Sequence, residues 1–179
     1  AIEIKPYDGD AYYNRGISKG KLQDYYGAIS DYTKAIEINP NVALWFHNRG
    51  SAKKELFDYS GAIIDYDKEL RLNPEDPNGL NERASAKLNV KDYKGAIDDY
   101  TEAIKNDTYS GISEEAYAYR GIAKFRLGDN EDAISDLLEA LKFGPENENI
   151  FFNLAMVKIE TLDYKGAMQD YTKAIEINP

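Results

Sequence analysis

Few side chains in this sequence have the chemistry that catalysis or metal binding requires. It contains one histidine, His47, and no cysteine, so a thiolate nucleophile is excluded and a zinc site would lack thiolates and a second imidazole. A serine, histidine and acid triad would depend on His47 alone. The segment from Gly16 to Lys21 is similar to a phosphate-binding loop, but its spacing is one residue short and Leu22 replaces the hydroxyl residue. We therefore predict that the chain is not an enzyme and that it holds no metal ion or cofactor.

Charged side chains recur at regular intervals instead. One set, called here the arginine position, consists of Arg15, Arg49, Arg83, Arg120 and Leu154. A second set, the aspartate position, consists of Asp31, Asp65, Asp99, Asp136 and Asp170. Guanidinium and carboxylate groups form bidentate pairs, so we predict a ladder of arginine–aspartate pairs. Pairing each arginine with the aspartate after it would leave Asp170 without an arginine, whereas pairing each aspartate with the arginine after it would leave Asp136 without one.

The regular intervals come from a sequence repeat of about 34 residues. The string GAISDYTKAIEINP at 27–40 returns as GAMQDYTKAIEINP at 166–179, with weaker copies between. Counted from Gly9, the repeats run over 9–42, 43–76, 77–110, 114–147 and 148–179, with an insert at 111–113. Residues 1–8 align with the end of a preceding repeat, which indicates a fragment of a longer array. Repeats of this length predict one solenoid domain, in which each repeat contacts only its neighbours.

Each repeat predicts two helices joined by a polar turn. Apolar residues follow helical spacing on both sides of the turn, an aspartate such as Asp24 stands where it can cap the second helix, and prolines such as Pro40 end it. Small residues alternate with aromatic ones, which favours close helix packing. The small residues of the second helices are Ala28, Ala62, Ala96, Ala133 and Ala167, and the large ones are Tyr32, Tyr66, Tyr100, Leu137 and Tyr171.

This pattern of aromatic, glycine, tyrosine, alanine and proline residues resembles that of the tetratricopeptide repeat family, over the whole chain. The resemblance implies an all-α fold, a right-handed superhelical solenoid of antiparallel helix pairs. It also implies a scaffold that binds proteins or peptides in a concave groove lined by the first helix of each repeat. One departure recurs, because the arginine position holds leucine in the family pattern and only Leu154 conforms.

The positions that face the groove in this family change character along the chain. In the first three repeats they are mostly polar: Tyr13, Asn14, His47, Asn48, Ser51, Asn81 and Glu82. In the last two they are mostly apolar: Tyr119, Ile122, Phe125, Phe152, Asn153 and Met156. Three of these residues are asparagines at one repeat position, which suits a grip on a peptide backbone, although the same amides could simply decorate a solvated helix face. The apolar residues predict a pocket for a hydrophobic anchor, unless they pack between helices.

Two other functions remain open from the sequence. The array could be architectural, acting as a spacer or associating end to end through exposed terminal repeats, or it could be the recruiting arm of a larger enzyme. The net charge of −10 argues against a nucleic-acid partner, and no apolar run approaches the ~18 residues of a membrane span. The absence of cysteine fits the cytosol and several bacterial compartments. The cytoplasm is favoured, and the partner is an unidentified protein or peptide.

Overall fold

The computed structural model describes residues 8–107 and 111–178, and nearly all of them are helical. In that part of the chain the helices are α1 (Gly9–Lys21), α2 (Tyr25–Ile38), α3 (Ala43–Glu55), α4 (Tyr59–Leu72), α5 (Pro77–Asn89), α6 (Tyr93–Asn106), α7 (Ser113–Leu127), α8 (Asn130–Phe143), α9 (Glu148–Glu160) and α10 (Tyr164–Ile177). None of these helices is long and apolar enough to cross a membrane. The predicted remnant at 1–8 lies outside the described residues except for Asp8, as do residues 108–110 of the third repeat and Pro179.

The helices form two compact units that divide between Val90 and Lys91. The first unit contains α1 to α5 and the second contains α6 to α10, and within each unit every helix packs against the next one along the chain. First helices of consecutive repeats also touch, α1 against α3, α3 against α5 and α7 against α9. The predicted all-α architecture of successive helix pairs is therefore confirmed.

Aspartates begin the second helices as predicted, with one exception. Asp24 Oδ1 accepts a hydrogen bond from Gly27 N at 2.9 Å, and the same cap recurs at Asp58, Asp92 and Asp163. A Cβ atom on Gly27 would lie 2.1 Å from the carboxylate of Asp24, so the cap needs glycine there. Asp129 makes no side-chain cap bond, and the glycine is replaced by Asp132 in that repeat.

The insert lengthens the connection before the fourth repeat and also contributes to a helix. Gly111 has a φ of 73°, a conformation that glycine adopts without strain. Ser113, which the sequence assigned to the insert, is the first residue of α7. Helix α7 has 15 residues, whereas α9, the first helix of the next repeat, has 13.

The cores follow the predicted alternation of small and large residues. Ala28, Ala62, Ala96 and Ala133 have no exposed surface, and Tyr66, Tyr100 and Leu137 are equally buried. A Cβ atom on Gly16 would lie 2.6 Å from the Tyr32 ring, because the ring packs directly on the backbone of α1. This close packing leaves the exposed faces of the first helices side by side within each unit.

Candidate functional site

The arginine–aspartate ladder exists and pairs within the repeat. In the first repeat, Nε and Nη2 of Arg15 donate to Oδ2 and Oδ1 of Asp31 at 2.7 and 2.5 Å. The same bidentate geometry joins Arg49 to Asp65 and Arg120 to Asp136. All three carboxylates are buried. Hydrogen bonds from Arg15 are the largest cause holding the pKa of Asp31 below its ordinary value, against the opposing effect of burial.

A lysine beside four of these aspartates was missed from the sequence. Lys19 Nζ lies 2.9 Å from Asp31, and Lys158 Nζ lies 2.6 Å from Asp170, the aspartate that was expected to have no arginine. Equivalent pairs join Lys53 to Asp65 and Lys124 to Asp136. A lysine recurs at this position in all five repeats, at Lys19, Lys53, Lys87, Lys124 and Lys158. That periodicity was a usable signal, because a periodic cation beside a periodic acid predicts a pair.

The arginines also join one repeat to the next. Nη1 of Arg49 donates to Thr33 Oγ1 of the preceding repeat at 3.1 Å, and Nη1 of Arg83 donates to Asp67 Oδ1 at 2.8 Å. In the second unit, Arg120 Nη1 donates to Thr101 Oγ1 at 3.2 Å. These three arginines therefore fix the position of their first helix against the preceding second helix, and so orient the exposed first-helix face.

In the first unit, the predicted groove residues bind one another. Asn48 Nδ2 donates to Tyr13 Oη at 2.7 Å, and the Tyr13 ring stacks on Trp45 with centroids 5.9 Å apart. Ser51 Oγ lies 3.2 Å from Tyr66 Oη. Burial raises the pKa of Tyr13 and Tyr66, so both phenols keep their protons near neutral pH. The surface of α1 and α3 is a preorganised polar network.

A pocket of about 370 Å³ opens beside this network. His47 Nδ1 lies 2.8 Å from Oε1 of Glu69 at the pocket floor, and the His47 ring meets Tyr66 edge-on. Glu82 lines the wall and pairs with Lys54. Two predicted residues, His47 and Glu82, thus line one pocket together with Glu69, a carboxylate that was not predicted.

In the second unit, a larger pocket of about 590 Å³ lies between α7 and α9. Three predicted residues line it: Tyr119, Ile122 and Asn153. Tyr119 is 39% exposed and stacks on Tyr100 at a centroid distance of 6.3 Å. Asn153 Nδ2 donates to the backbone oxygen of Asn149 at 2.7 Å. The pocket combines an aromatic face, aliphatic side chains and amides with the carboxylates of Glu114 and Glu115.

The remaining predicted residues are distributed between surface and core. Asn14 is exposed, Met156 is half-buried, and Asn81 is buried at 3% exposure. Phe152 is 49% exposed and meets Tyr171 edge-on at 5.4 Å. Phe125 packs against the buried apolar cluster of the second unit, which agrees with the alternative that some apolar residues pack between helices.

Comparison with known proteins identifies the repeats. Three family models, each described as tetratricopeptide repeat, match residues 9–42, 81–148 and 148–179. The chain belongs to the tetratricopeptide repeat family. Human Superkiller complex protein 3 is 30% identical over 70 residues, which are 39% of this chain and 4% of that protein. The match therefore covers only a small part of the human relative.

Solved tetratricopeptide repeat structures share the fold at low sequence identity. MamA from Desulfovibrio magneticus RS-1 superposes with a TM-score of 0.88 at 21% identity, covering 94% of each chain. YrrB, described as a TPR protein with an unusual peptide-binding site, superposes with a TM-score of 0.84 at 20% identity, covering 99% of this chain and 90% of that one. These likenesses establish a tetratricopeptide repeat fold.

Within this tetratricopeptide repeat chain, Glu69 is the residue that sequence reasoning missed most clearly. It stands at a position, called here the alanine position, that otherwise holds Ala35, Ala103, Ala140 and Ala174. Glu69 is only 2% exposed, and charged residues are rarely buried to that degree. Aligning the repeats reveals one acid among four alanines, a signal that was available before the structure.

Proposed function

We propose that this chain binds an extended segment of a partner protein on the surface formed by its first helices and that it does so without catalysis. Tetratricopeptide repeats make the chain a protein-interaction scaffold, and such scaffolds are generally non-catalytic. No cluster of His, Cys, Asp and Glu that could hold a metal ion occurs within residues 8–107 and 111–178.

The pocket between α7 and α9 is the observation that carries this proposal. Residues from two consecutive first helices converge on it, and at about 590 Å³ it has room for one or two side chains of a ligand. Tyr119 supplies a partly exposed aromatic face, a residue type enriched at binding hot spots. Ile122 supplies an apolar wall. The pocket suits an apolar anchor side chain of the partner.

The three asparagines that were predicted to bind a peptide backbone, Asn14, Asn48 and Asn153, have different roles in this proposal. One N–H of Asn153 is used by its own helix, which holds the amide in a single orientation at the pocket edge. Its Oδ1 accepts no hydrogen bond from the rest of the described chain and can accept a backbone N–H of the ligand. Asn14 is exposed, whereas the N–H of Asn48 is given to Tyr13. The three amides therefore contribute unequally.

A selected peptide tests the proposal. A display library of random peptides is panned against the wild-type chain, and the affinity of the best binder is measured by fluorescence anisotropy for two variants. Tyr119→Ala should weaken binding by roughly tenfold or more, since aromatic hot spots contribute about 2 kcal/mol. The matched control is Leu138→Ala, which truncates a 49%-exposed side chain on second helix α8. Circular dichroism confirms that both variants are folded.

Two results of this test would contradict the proposal. If Leu138→Ala weakens peptide binding and Tyr119→Ala does not, the ligand binds to the second helices. Equal binding to both variants would exclude the pocket as the site of the apolar anchor.

Self-association is a second candidate function, favoured by exposed apolar side chains on α10. Met168 and Ile175 are 64% and 65% exposed, and Ile175 lies with Phe152 and Tyr171 around a further pocket. Light scattering after size-exclusion chromatography should then show a mass that rises with concentration and falls for Ile175→Ser. A constant monomer mass would remove this candidate.

A further inference from the structure

Glu69 occupies an environment that the fold has adapted to a carboxylate. Its Oε1 faces His47, and a Cβ atom on Gly79 would lie 2.8 Å from that oxygen. Gly79 belongs to the first turn of α5, where the helix dipole favours negative charge. The other repeats have alanine at this position, whereas the second repeat has the buried Glu69, which packs against Gly79 at the start of α5.

The pocket above Glu69 carries an excess of negative charge. Three carboxylates line it, from Glu69, Asp76 and Glu82. Lys54, outside the lining, pairs with Glu82, and His47 is the one basic group among the lining residues. Asp76 caps α5 through the N–H groups of Asn78 and Gly79, and no cation of residues 8–107 and 111–178 pairs with it. A positively charged group of a ligand would find a complementary potential here.

One atom of this pocket is left without a partner. Oε2 of Glu69 is buried and accepts no hydrogen bond from the described residues. A buried charged oxygen without a donor is costly, so its persistence points to a donor supplied from outside the chain. The carboxylates do not form a metal-binding group with the neighbouring histidine, which favours an organic cation.

We propose that this pocket receives the side-chain ammonium of a lysine in the bound partner. The inference rests on the proposed function, because the lysine belongs to the segment held along the first helices. The ammonium donates to Glu69 Oε2 while His47 keeps its contact with Oε1, and Asp76 and Glu82 provide the surrounding negative potential.

Ammonium fits the floor better than guanidinium. Arginine binds a carboxylate best through two parallel hydrogen bonds to both oxygens, but Oε1 of Glu69 is already engaged by His47. A single available oxygen matches the compact ammonium of lysine, which acts as a point charge. The ligand is therefore distinguished by charge and by size.

His47 makes the pocket sensitive to pH. Burial by itself would lower the pKa of His47. The hydrogen bond to Glu69 and the negative charges of Glu69, Glu82 and Asp76 together outweigh burial, so the pKa of His47 is raised. The groups that face the ring are those three carboxylates and the edge of Tyr66, with Lys54 behind Glu82. Protonated His47 holds Glu69 and competes with the ligand, so affinity for lysine should fall as pH is lowered through the titration of His47.

Nuclear magnetic resonance with small probes tests the proposal without an identified partner. N-acetyl-lysine methylamide is titrated into the ¹⁵N-labelled full chain, with N-acetyl-norleucine methylamide as the uncharged isostere, the arginine analogue as the guanidinium and free butylamine as a non-peptide ammonium. The lysine probe should give saturable shifts at Leu44, His47 and Asn78 and bind more tightly than the other three. Glu69→Gln and Glu69→Ala should weaken it by roughly tenfold, as expected for the loss of a charge-assisted hydrogen bond.

Controls separate the pocket from general attraction to an acidic protein. Glu55→Gln removes an exposed carboxylate of α3 outside the pocket and should leave the affinity unchanged. His47→Ala should strengthen lysine binding and abolish its pH dependence. Glu69→Ala carries the residue found at this position in the other repeats, and circular dichroism checks that this variant is folded before its binding is compared.

Several outcomes would overturn the inference. These are the absence of saturable shifts, equal binding of the norleucine probe, tighter binding of butylamine than of the lysine probe, or unchanged affinity in both Glu69 variants. Because the probes report on the first unit, their failure leaves the peptide test at Tyr119 intact. Failure of the Tyr119 test with a working lysine probe would instead place the ligand on the first unit.

Discussion

The two units present different first-helix surfaces on similar frameworks. In the first, polar side chains are tied to one another, as Asn48 is to Tyr13 and His47 to Glu69. In the second, Tyr119 and Phe152 are 39% and 49% exposed and the pocket includes an isoleucine. The repeated residues that form the helices are alike in both units, so the difference shows that framework and surface vary independently.

The same contrast appears inside the helix pairs. The alanine position holds Glu69 beside Gly79 in the first unit, and Ala140 in one buried cluster with Ile150 in the second. The arginine position holds Arg49, bonded to Thr33, whereas Leu154 replaces it in the last repeat. Leu138 stands where Thr33 does in the first repeat, so both members of that polar contact change to leucine together.

Exchanging the residues of the alanine position should have the largest effect. Ala140→Glu would bury an unpaired carboxylate among Leu137, Ile150 and Leu154, and we expect the free energy of unfolding to fall by about 4 kcal/mol. The reciprocal change, Glu69→Ala, should alter it by less than about 1 kcal/mol, because removing a buried charge offsets the lost His47 contact. Guanidinium denaturation measures both. Similar losses in the two variants would show that the first unit has no special accommodation for the acid.

Removing a ladder aspartate should have the next largest effect. Asp65 has no exposed surface and binds Arg49 and Lys53, so Asp65→Ala should lower the free energy of unfolding by about 3 kcal/mol. Asp170 stands at the same position of the last repeat, where its side chain is 14% exposed and pairs with Lys158. Asp170→Ala should therefore lower the free energy of unfolding by only about 1 kcal/mol. Urea denaturation compares the two. Equal losses would mean that the arginine adds nothing to the ladder.

Acid should weaken the first unit through Asp31. Its folded-state pKa is lowered, so its contribution to stability is present above the unfolded value of about 3.9 and is lost as pH falls through the folded value. Removing the main cause with Arg15→Gln should flatten the dependence of the unfolding free energy on pH below about 5. Lys68→Gln removes an exposed cation of the same unit and serves as the control. An unchanged slope in Arg15→Gln would argue against this assignment.

The smallest effect is expected at the bridge between repeats. Thr101→Ala removes the exposed acceptor of Arg120, and a loss of about 0.5 kcal/mol is expected from thermal unfolding. Thr172→Ala removes the same side chain in the last repeat, where its hydroxyl bonds to its own helix backbone, and should have less effect. A larger loss at Thr172 would contradict a bridging role for Thr101.

Local patterns were sufficient to predict the helices, their caps and the packing positions. Asp24 with Gly27, Ala28 with Tyr32, and the pairing of Arg15 with Asp31 all follow from periodic residue types whose chemistry allows one arrangement within a helix pair. One failure was a single exception to a pattern, since Asp129 lacks its cap bond in the repeat where Asp132 replaces the glycine. The other was a periodic signal that was not used, the lysine that recurs at one repeat position and pairs with Asp170 through Lys158.

The candidate site was less predictable, since it depends on contacts between consecutive repeats. His47 and Glu82 were identified by repeat position, but Glu69, which pairs with His47 in the same pocket, comes from a second helix. Phe125 was a candidate groove residue with packing between helices left open, and the structure packs it, partly buried, against a buried cluster. Periodicity gives the direction of a side chain to within part of a helix turn, which is too coarse to separate a half-buried residue from an exposed one.

By itself, the sequence determined the tetratricopeptide repeat fold and the ladder residues, because a periodic pattern repeats the same energetic choice five times and the signals reinforce one another. The tertiary structure alone decided the choice between ladder partners, the occupation of the Asn48 and Asn153 amides, and the burial of Glu69 beside His47 and Gly79. These depend on distances of a few ångströms between individual atoms, most of them on different helices. Hydrogen bonds and buried charges change free energy steeply over such distances, and residue spacing carries no record of them.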